Sequence, residues 1–331
     1  MTFRFRLTAQ AIVLAGLLAL PLQGEAQAPA AAAAPFRLIT LGTIAGPFPR
    51  KDRAQMASLL EVDGEFYLID AGDGVSRRLA EADVDINRIG RIFITHDHGD
   101  HTAGLANMFS VAWQNDRRQP IEVIGPPGTD LVVNGALAAD KADEEIRLSE
   151  TRETPLKSVV RVKVVGTGVV YQDAKVKVTA VENTHFQFKK GSPAYGKYKS
   201  YAYRFDIGPR SIVFTGDTGP SPAVTALARG ADILVSEVLA SDEIRVRLEK
   251  TGEWQKQTPT ERQGWIMHMT QEHLSPDKVG EMARDAGVKT LVLSHIGGGV
   301  PGDDFARFGV AAGKVFKGRI IVAKDLMQIT P

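Results

Sequence analysis

Apolar residues along the chain fall into short runs separated by polar turns, a pattern typical of a protein rich in β-strands. The first half predicts strands over 36–42, 57–62, 65–72, 89–95 and 121–125. The second half predicts strands over 159–165, 175–182, 200–207, 210–216, 231–238 and 287–295. The early strands follow one another directly and the later ones alternate with helices, so the pattern predicts mixed sheets covered by helices.

Apolar residues at helical spacing predict helices over 102–113, 128–148, 221–230 and 275–287. The last of these has Ser275 at the N-cap and Pro276 at the first helical position, where both residues are favoured. The fold class is therefore α/β with mixed sheets.

Residues 1–28 have the pattern of a secretory signal peptide. Arg4 and Arg6 precede a run of twelve apolar or small residues, and Ala26 and Ala28 form a small-residue cleavage site. This run is too short to span a bilayer comfortably. We therefore expect cleavage near Ala28, a periplasmic or secreted mature protein, and no stable membrane insertion afterwards.

The sequence of the remaining chain predicts a tether followed by one domain. The Ala- and Pro-rich segment 29–35 predicts a disordered tether, and no second linker interrupts 36–331. Loss of the leader leaves 38 basic and 38 acidic side chains, so we expect no nucleic-acid partner. The chain has no Cys, so any metal site must consist of histidines and carboxylates.

The densest group of ionisable residues lies in "THDHGDH" (95–101). His96 and His98 are two residues apart, so an extended segment projects both in the same direction. Asp100 and His101 lie on the turn before the next helix. A solvated polar turn is the alternative, but imidazole and carboxylate are ligands that zinc favours, and the density of these residues indicates a metal site.

Three further candidate ligands each follow an apolar run. The chain contains only seven histidines, and His185, Asp217 and His295 come at the ends of three predicted strands. Loops that follow strands are a common place for ligand sites in proteins whose sheets are covered by helices. The pattern predicts that these residues converge with the dense cluster.

In this order, "THDHGDH", "ENTH", "FTGDT" and "LSH" resemble the metal-binding motifs of the metallo-β-lactamase superfamily, over essentially Phe36 to Pro331. The resemblance implies an αββα sandwich of two mixed sheets flanked by helices, with a two-metal site at one edge. It implies these ligands: His96, His98 and His185 for the first metal, Asp100, His101 and His295 for the second, and Asp217 for both. The implied cofactor is a pair of zinc ions, although manganese or iron would also suit. Asp97 is not a ligand in this pattern, and we expect it to support its neighbours.

Two other residues resemble the tRNase Z and arylsulfatase-like branch of the superfamily. Glu237 follows a predicted strand, as an acid of that branch does, and His273 precedes His295 by 22 positions, as an extra histidine does. The resemblance implies that His273, paired with Glu237, protonates the leaving group, with Asp217 as the third catalytic residue. His268 is the alternative histidine, and an exposed charge at a strand end is the alternative for Glu237.

The sequence departs from tRNase Z between His185 and Asp217, which are 32 positions apart and leave no space for the long RNA-gripping arm of that enzyme. The interval 186–203 is instead rich in aromatic residues and lysines. We predict a lid that binds a small anionic or aromatic substrate, with a solvated loop as the alternative. Its candidate contacts are Phe186, Tyr195, Lys197, Tyr198 and Lys199. A second candidate rim is 252–268, which contains two tryptophans.

These features together predict an exported metal-dependent hydrolase in which a hydroxide bridging two zinc ions attacks a phosphodiester or an aryl sulfate or phosphate-like ester. Lactone or β-lactam ring opening and hydrolytic dehalogenation of an activated aromatic are the alternatives. A non-enzymatic zinc-binding protein is disfavoured because all seven implied ligands are present. The sequence leaves open whether the chain forms a homodimer.

Overall fold

Two seven-stranded β-sheets form the centre of the computed structural model, which describes residues 36–331. The predicted signal peptide (1–28) and tether (29–35) lie outside the described residues. Within 36–331, no helix combines the length and the apolar composition needed to cross a membrane.

The first sheet comes from the N-terminal half of the chain together with the last strand. Across the sheet the order is β14 (Met327–Ile329), β1 (Arg37–Gly42), β2 (Ala57–Val62), β3 (Glu65–Ile69), β4 (Ile89–Phe93), β5 (Ile121–Gly125) and β6 (Val160–Val164). The pairs from β14 to β3 are antiparallel and those from β3 to β6 are parallel.

The second sheet comes from the C-terminal half. Across it the order is β13 (Arg319–Val322), β12 (Thr290–Gly297), β11 (Ile233–Leu239), β10 (Arg210–Phe214), β9 (Tyr201–Ile207), β8 (Lys177–Glu182) and β7 (Gly168–Gln172). The pairs from β13 to β10 are parallel and those from β10 to β7 are antiparallel. Both sheets are therefore mixed, as the sequence predicted.

Helices lie between the strands in both halves of the chain. Those of the first half are α1 (Val75–Glu81), α2 (Gly99–Thr102), α3 (Leu105–Gln114), α4 (Thr129–Ala139) and α5 (Lys141–Glu150). Those of the second half are α6 (Pro222–Leu227), α7 (Ser241–Lys250), α8 (Glu253–Lys256), α9 (Pro259–Gln271), α10 (Pro276–Ala286) and α11 (Ala306–Ala312).

Three apolar layers hold these elements together. Side chains of a strand alternate between its two faces, and in β3 Tyr67 and Ile69 pack between the sheets while Phe66 and Leu68 pack against helices. A third layer joins the second sheet to α6, α10 and α11. The predicted αββα sandwich is confirmed.

The structure ends β3 and β4 earlier than predicted, at Ile69 and Phe93. Asp70 has a left-handed backbone (φ 59°), and its carboxylate accepts a hydrogen bond from the Thr95 backbone at 2.8 Å. This polar contact replaces strand pairing just where the metal-binding motif begins.

Two predicted helices are each divided in two. The helix predicted over 102–113 is α2 followed by α3, and the one predicted over 128–148 is α4 followed by α5. Some elements were not predicted from the sequence: the strands β7, β13 and β14 and the helices α1, α7, α8, α9 and α11. Many of them are short. In addition, α7–α9 have almost no buried face, so their sequences show little helical periodicity.

Candidate metal centre

The seven residues that the sequence predicted as ligands meet at one edge of the two sheets. His96 follows β4, His185 follows β8, Asp217 follows β10, and His295 lies near the end of β12. His98 precedes α2, which contains Asp100 and His101. Five of the seven are buried: His96, His101, His185, Asp217 and His295.

Asp217 lies between two groups of these residues. Its Oδ2 is 3.9 Å from Nε2 of His96 and 3.9 Å from Nε2 of His185. Its Oδ1 is 3.4 Å from Nε2 of His101 and 3.2 Å from Nδ1 of His295. Each carboxylate oxygen thus faces a different group of histidines.

The first group consists of His96, His98 and His185, whose ligand atoms lie within 4.8 Å of one another. Nε2 of His185 is 3.2 Å from Nδ1 of His98. On its other side, the Nδ1–H of His185 donates to the carbonyl of Glu272 at 3.0 Å, which fixes the ring and leaves Nε2 for a ligand.

The second group consists of Asp100, His101 and His295, whose ligand atoms also lie within 4.8 Å of one another. His101 donates from Nδ1 to Asp70 at 2.8 Å, and Asp100 Oδ2 lies 3.1 Å from Nε2 of His295. The backbone N–H of Gly46 donates to the same Asp100 oxygen at 2.7 Å, and a side chain at Gly46 would overlap Asp100. A close backbone approach therefore orients Asp100.

Two residues of this centre have unusual backbone conformations. His295 has φ 44° and Asp70 has φ 59°, in the left-handed region that most side chains avoid. Such conformations cost energy and concentrate at functional sites, where the surrounding structure holds them.

The donor set fits one or more divalent cations. Four buried polar atoms at the centre have no hydrogen-bond partner among the described residues: His96 Nε2, His101 Nε2, Asp217 Oδ1 and His295 Nδ1. Buried polar atoms almost always have partners, so their convergence indicates that a ligand completes the site. Imidazole nitrogens together with carboxylate oxygens are the donors that zinc prefers.

Three of the ligands are in the protonation state that a bound cation requires, whereas Asp217 and Asp70 outweigh burial and raise the pKa of His101 well above its usual range, so a cation there would displace a proton. Burial holds the pKa values of His96 and His185 well below that of an ordinary histidine, so both rings are neutral. Burial alone would raise the pKa of Asp217, but His295 and His101 outweigh it and hold the pKa well below its usual range. Metal ligands must be deprotonated in this way.

His273 and Glu237 form a buried pair beside the first group. His273 donates from Nδ1 to Glu237 Oε2 at 2.9 Å, and Glu237 Oε1 accepts the Thr218 backbone N–H at 2.7 Å. Burial would lower the pKa of His273, but Glu237 outweighs this effect and raises it to about 9. The structure therefore brings the predicted histidine and acid together.

His268, the alternative histidine, lies on α9 next to this pair. Its Nδ1 donates to Glu272 at 2.6 Å, and its Nε2 is 3.4 Å from Nε2 of His273. It does not contact Glu237 within hydrogen-bonding distance, so the geometry favours His273 as the partner of the acid.

A cavity of about 520 Å³ opens onto the centre. His98, Asp100, Asp217, His273 and His295 form its polar base. Its upper walls include Phe48 and Arg50 from the segment between β1 and β2, Arg247 from α7, and Trp265, His268 and Met269 from α9. Trp265 comes from the second candidate rim that the sequence indicated.

The structure does not bring the predicted substrate-binding residues of 186–203 into this cavity. Phe186 packs against the rings of His96, His98 and His185, with centroids 5.1–5.6 Å apart. Phe186 therefore supports three of the ligands, and it is not among the residues that line the cavity. Its contact with substrate stays a prediction.

The other four residues of that set have different surroundings. Tyr195 is 54% exposed, Lys197 lies 4.8 Å over the ring of Tyr198, and Lys199 pairs with Glu182 at 2.8 Å. A side chain at Gly128 would come within 2.7 Å of Tyr198 and would overlap Asp97, so this tyrosine packs beside the predicted supporting aspartate. Their role in binding substrate stays a prediction.

Sequence reasoning missed Asp70, Arg50 and Arg247. Asp70 lies inside the predicted strand 65–72, and only the earlier end of β3 at Ile69 places it after a strand at the same edge as "THDHGDH". The two arginines come from a loop and a helix about 200 positions apart, and only the fold brings them to one cavity.

Comparisons with known proteins agree with this geometry. The family profile described as "Beta-lactamase superfamily domain" matches residues 66–296. The ribonuclease Z of Mycobacterium sp. strain KMS is 28% identical over 293 residues, covering 88% of this chain and 95% of that protein.

Solved structures show the same fold. The metallo-β-lactamase fold protein YhfI from Bacillus subtilis superimposes with a TM-score of 0.64 at 19% identity, covering 90% of this chain and 100% of that one. The short form of human tRNase Z gives a TM-score of 0.60 at 22% identity, covering 89% and 98%.

The sandwich and its histidine-rich edge define a metal-dependent hydrolase. The chain belongs to the β-lactamase superfamily of metallo-β-lactamase-fold hydrolases, and its curated relatives place it in the tRNase Z-like branch.

Proposed function

We propose that the protein is an exported hydrolase that uses two zinc ions to cleave a phosphodiester or a phosphate-like ester in a small molecule. One observation carries the proposal: Asp217 directs one oxygen to each of two histidine groups, and the His273–Glu237 pair lies beside the first. A two-metal clamp with an adjacent proton donor suits the displacement of an oxygen leaving group.

His96, His98 and His185 would hold one ion and Asp100, His101 and His295 the other, with Asp217 shared between them. Bound zinc supplies an activated water and neutralises the charge that develops on the ester. The protein orients the donors through contacts behind them. Asp70 holds His101, the Glu272 carbonyl holds His185, and the Gly46 N–H holds Asp100.

His273 would carry the proton for the leaving group. Glu237 accepts the hydrogen bond from Nδ1, which leaves Nε2 of the same ring on the side away from the acid. Because His273 lines the cavity, Nε2 can deliver a proton to a departing oxygen. Proton transfer of this kind contributes roughly 10²–10⁴-fold to a rate.

A small substrate is favoured over RNA by three features. The cavity of about 520 Å³ has the size of a small-molecule pocket. His185 and Asp217 are 32 positions apart, and this interval lacks the space for a long RNA-binding arm. The balanced charge of residues 29–331 provides no broad electrostatic attraction to a phosphate backbone. The N-terminal leader pattern supports export.

Cleavage of RNA is the second candidate, because the curated relatives carry the name ribonuclease Z. The same metal ligands would also suit reactions at other electrophiles. These are hydrolysis of an aryl sulfate, ring opening of a lactone or β-lactam, and dehalogenation of an activated aromatic. Each of these reactions has a direct assay.

The deciding experiment incubates one zinc-loaded sample, with its metal content measured, with bis(p-nitrophenyl) phosphate, nitrophenyl sulfate, a lactone, nitrocefin, an activated aryl halide and a precursor tRNA. We expect turnover of the phosphodiester together with two zinc ions per chain. Turnover confined to the sulfate, the lactone, nitrocefin or the halide would refute the proposal. Cleavage of the tRNA at a higher kcat/KM than the small diester would establish the second candidate instead.

A further inference from the structure

We infer that Arg50 and Arg247 form an anion-binding subsite in the cavity, which selects substrates carrying a second anionic group across an apolar spacer from the scissile ester. This inference rests on the proposed function for the identity of the ester. Neither arginine belongs to the metal-binding motifs, and they come from the loop between β1 and β2 and from α7.

Arg50 is a buried cation whose donors are not fully used. Its side chain is only 6% exposed, yet Nε and Nη2 have no hydrogen-bond partner among the described residues. Nη1 makes one long contact of 3.4 Å with the carbonyl of Gly298. Leaving buried donors of a charged group unpaired costs free energy, so an anion in the cavity would offset that cost.

Arg247 lies on the same cavity wall and is positioned by an aromatic ring. Its guanidinium stacks 4.2 Å over Phe48, which restricts its orientation. Within residues 36–331 it forms no ion pair with a carboxylate. Burial lowers the pKa of Arg247, and the positive charge of Arg50, which lines the same cavity, lowers it further.

The nearby carboxylates leave most donors of this pair unbonded, although Asp52 is an ion-pair partner of Arg50. Asp52 Oδ1 is 3.5 Å from Nε of Arg50, too far for a well-formed hydrogen bond, and its other oxygen accepts the Gly302 N–H at 2.7 Å. Glu243 and Asp303 both bind Arg307, at distances of 2.6–2.8 Å. The Arg50 guanidinium thus keeps unbonded donors at the cavity wall, which suit a carboxylate, sulfonate or phosphate group.

The cavity that contains the arginines and the metal ligands is apolar in part. Phe48, Leu239, Ile244, Trp265 and Met269 line the same cavity. An aromatic or aliphatic spacer would therefore find contacts there, while one end of the molecule reaches the metal ligands and the other reaches the guanidinium groups.

A matched pair of substrates tests the subsite. One is the p-nitrophenyl ester of phenylphosphonate, and the other carries an added carboxylate at the para position of the phenyl ring. The reacting ester is the same in both. We expect the zinc-loaded protein to show about tenfold higher kcat/KM for the carboxylated ester, mainly through KM, because a charge-assisted hydrogen bond to arginine contributes that much. Equal kcat/KM values for the two esters would overturn the inference.

Substitutions of the two arginines test whether they cause the difference in kcat/KM between the esters. R247Q and R50Q should each reduce the ratio of the two kcat/KM values severalfold. R245Q is the matched control, since Arg245 lies on the same helix, pairs with Glu249 at 2.7 Å and does not line the cavity. It should leave the ratio as in the wild type. Because Arg247 is on a surface helix, R247Q keeps the test decisive even if R50Q disturbs folding. An unchanged ratio in R247Q would overturn the inference.

The test separates this subsite from the proposed function. If neither ester is hydrolysed, the proposed ester chemistry fails, but the subsite can still be measured. Isothermal titration of the zinc-loaded protein with 4-carboxyphenylphosphonate and with phenylphosphonate then compares their affinities. Tighter binding of the carboxylated compound that is lost in R247Q supports the subsite, and equal affinities refute it.

Discussion

The cavity is bounded by two regions that differ in how firmly they are held. At its base, four of the predicted ligands follow or lie on buried strands and the other three lie at or on α2, and partners such as Asp70 and Gly46 orient the donors. At its rim, α7–α9 contain one buried residue between them, Leu248. Ile266 and Met267 on α9 are 46% and 42% exposed.

This difference assigns separate tasks to the two regions. Catalysis by a metal pair requires donors held to within a fraction of an ångström, and packed strands provide that precision. Contacts with the variable part of a substrate tolerate more movement, and lightly packed helices can change without disturbing the centre. Variants at the base should therefore affect kcat and metal content, and variants at the rim should affect KM.

The largest effect is expected from D217A. Removing the shared carboxylate should lower the metal content below two ions per chain and reduce kcat roughly 10³-fold, since metal pairs supply several kcal/mol of transition-state stabilisation. Elemental analysis and steady-state kinetics on the same sample measure both quantities. D206A is the control, because Asp206 lies on β9 and pairs with Arg204 and Lys177 away from the centre. Two retained ions in D217A would refute the shared role of Asp217.

The second prediction concerns the two neighbouring histidines, one from each region. H273A should reduce kcat roughly 10²-fold or more for esters with poor leaving groups, and only severalfold for nitrophenyl esters, because a good leaving group needs no proton. The slope of log kcat against leaving-group pKa measures this dependence.

H268A provides the comparison, because His268 is bound to Glu272 on the rim and not to Glu237. It should leave that slope unchanged. A steeper slope in H268A with an unchanged slope in H273A would exchange the two roles, and parallel losses in H273A across all leaving groups would contradict proton donation.

The third prediction concerns the rim alone. W265A should raise KM about fivefold while changing kcat little, because it removes part of an apolar wall and burial of apolar area is worth about 25 cal/mol per Å². I266A is the matched control, since Ile266 is adjacent on α9 but does not line the cavity. A lower kcat or a lower zinc content in W265A would show that the rim and the base do not act independently.

The base could be predicted from the sequence because its residues follow recognisable apolar runs. Four of the ligands lie at or just after the end of a strand: His96, His185, Asp217 and His295. Residues in this position lie at an edge of the sheet, where ligand sites are common. Asp70 occupies the same kind of position, but a single aspartate after a strand has no spacing that distinguishes it from a turn residue.

The rim could not be predicted in the same way. Helices α7–α9 have almost no buried face, so no apolar periodicity indicates where they pack. The aromatic and lysine-rich interval 186–203 predicts a substrate lid or a solvated loop, and the structure shows only that its Phe186 packs against three of the ligand rings. Composition indicates that a loop can bind a ring or an anion, but not which side of the site it reaches. Arg50 and Arg247 became recognisable only once the fold placed them together.

The smallest expected effects are those of two helix-cap substitutions, which test whether the base and the rim differ in stability. Thr258 caps α9 in a capping box with Glu261, and Ser221 caps α6 by accepting the Val224 N–H at 3.3 Å. Loss of either cap costs about 1 kcal/mol. Because α6 packs into the apolar core through Val224, S221A should lower the global melting temperature by a few degrees. T258A should instead speed hydrogen exchange of the α9 amides severalfold and leave the melting temperature nearly unchanged, because the rim can open without unfolding the sheets. Equal melting-temperature losses in the two variants would mean that α9 unfolds only with the core, and the contrast between base and rim would then be wrong.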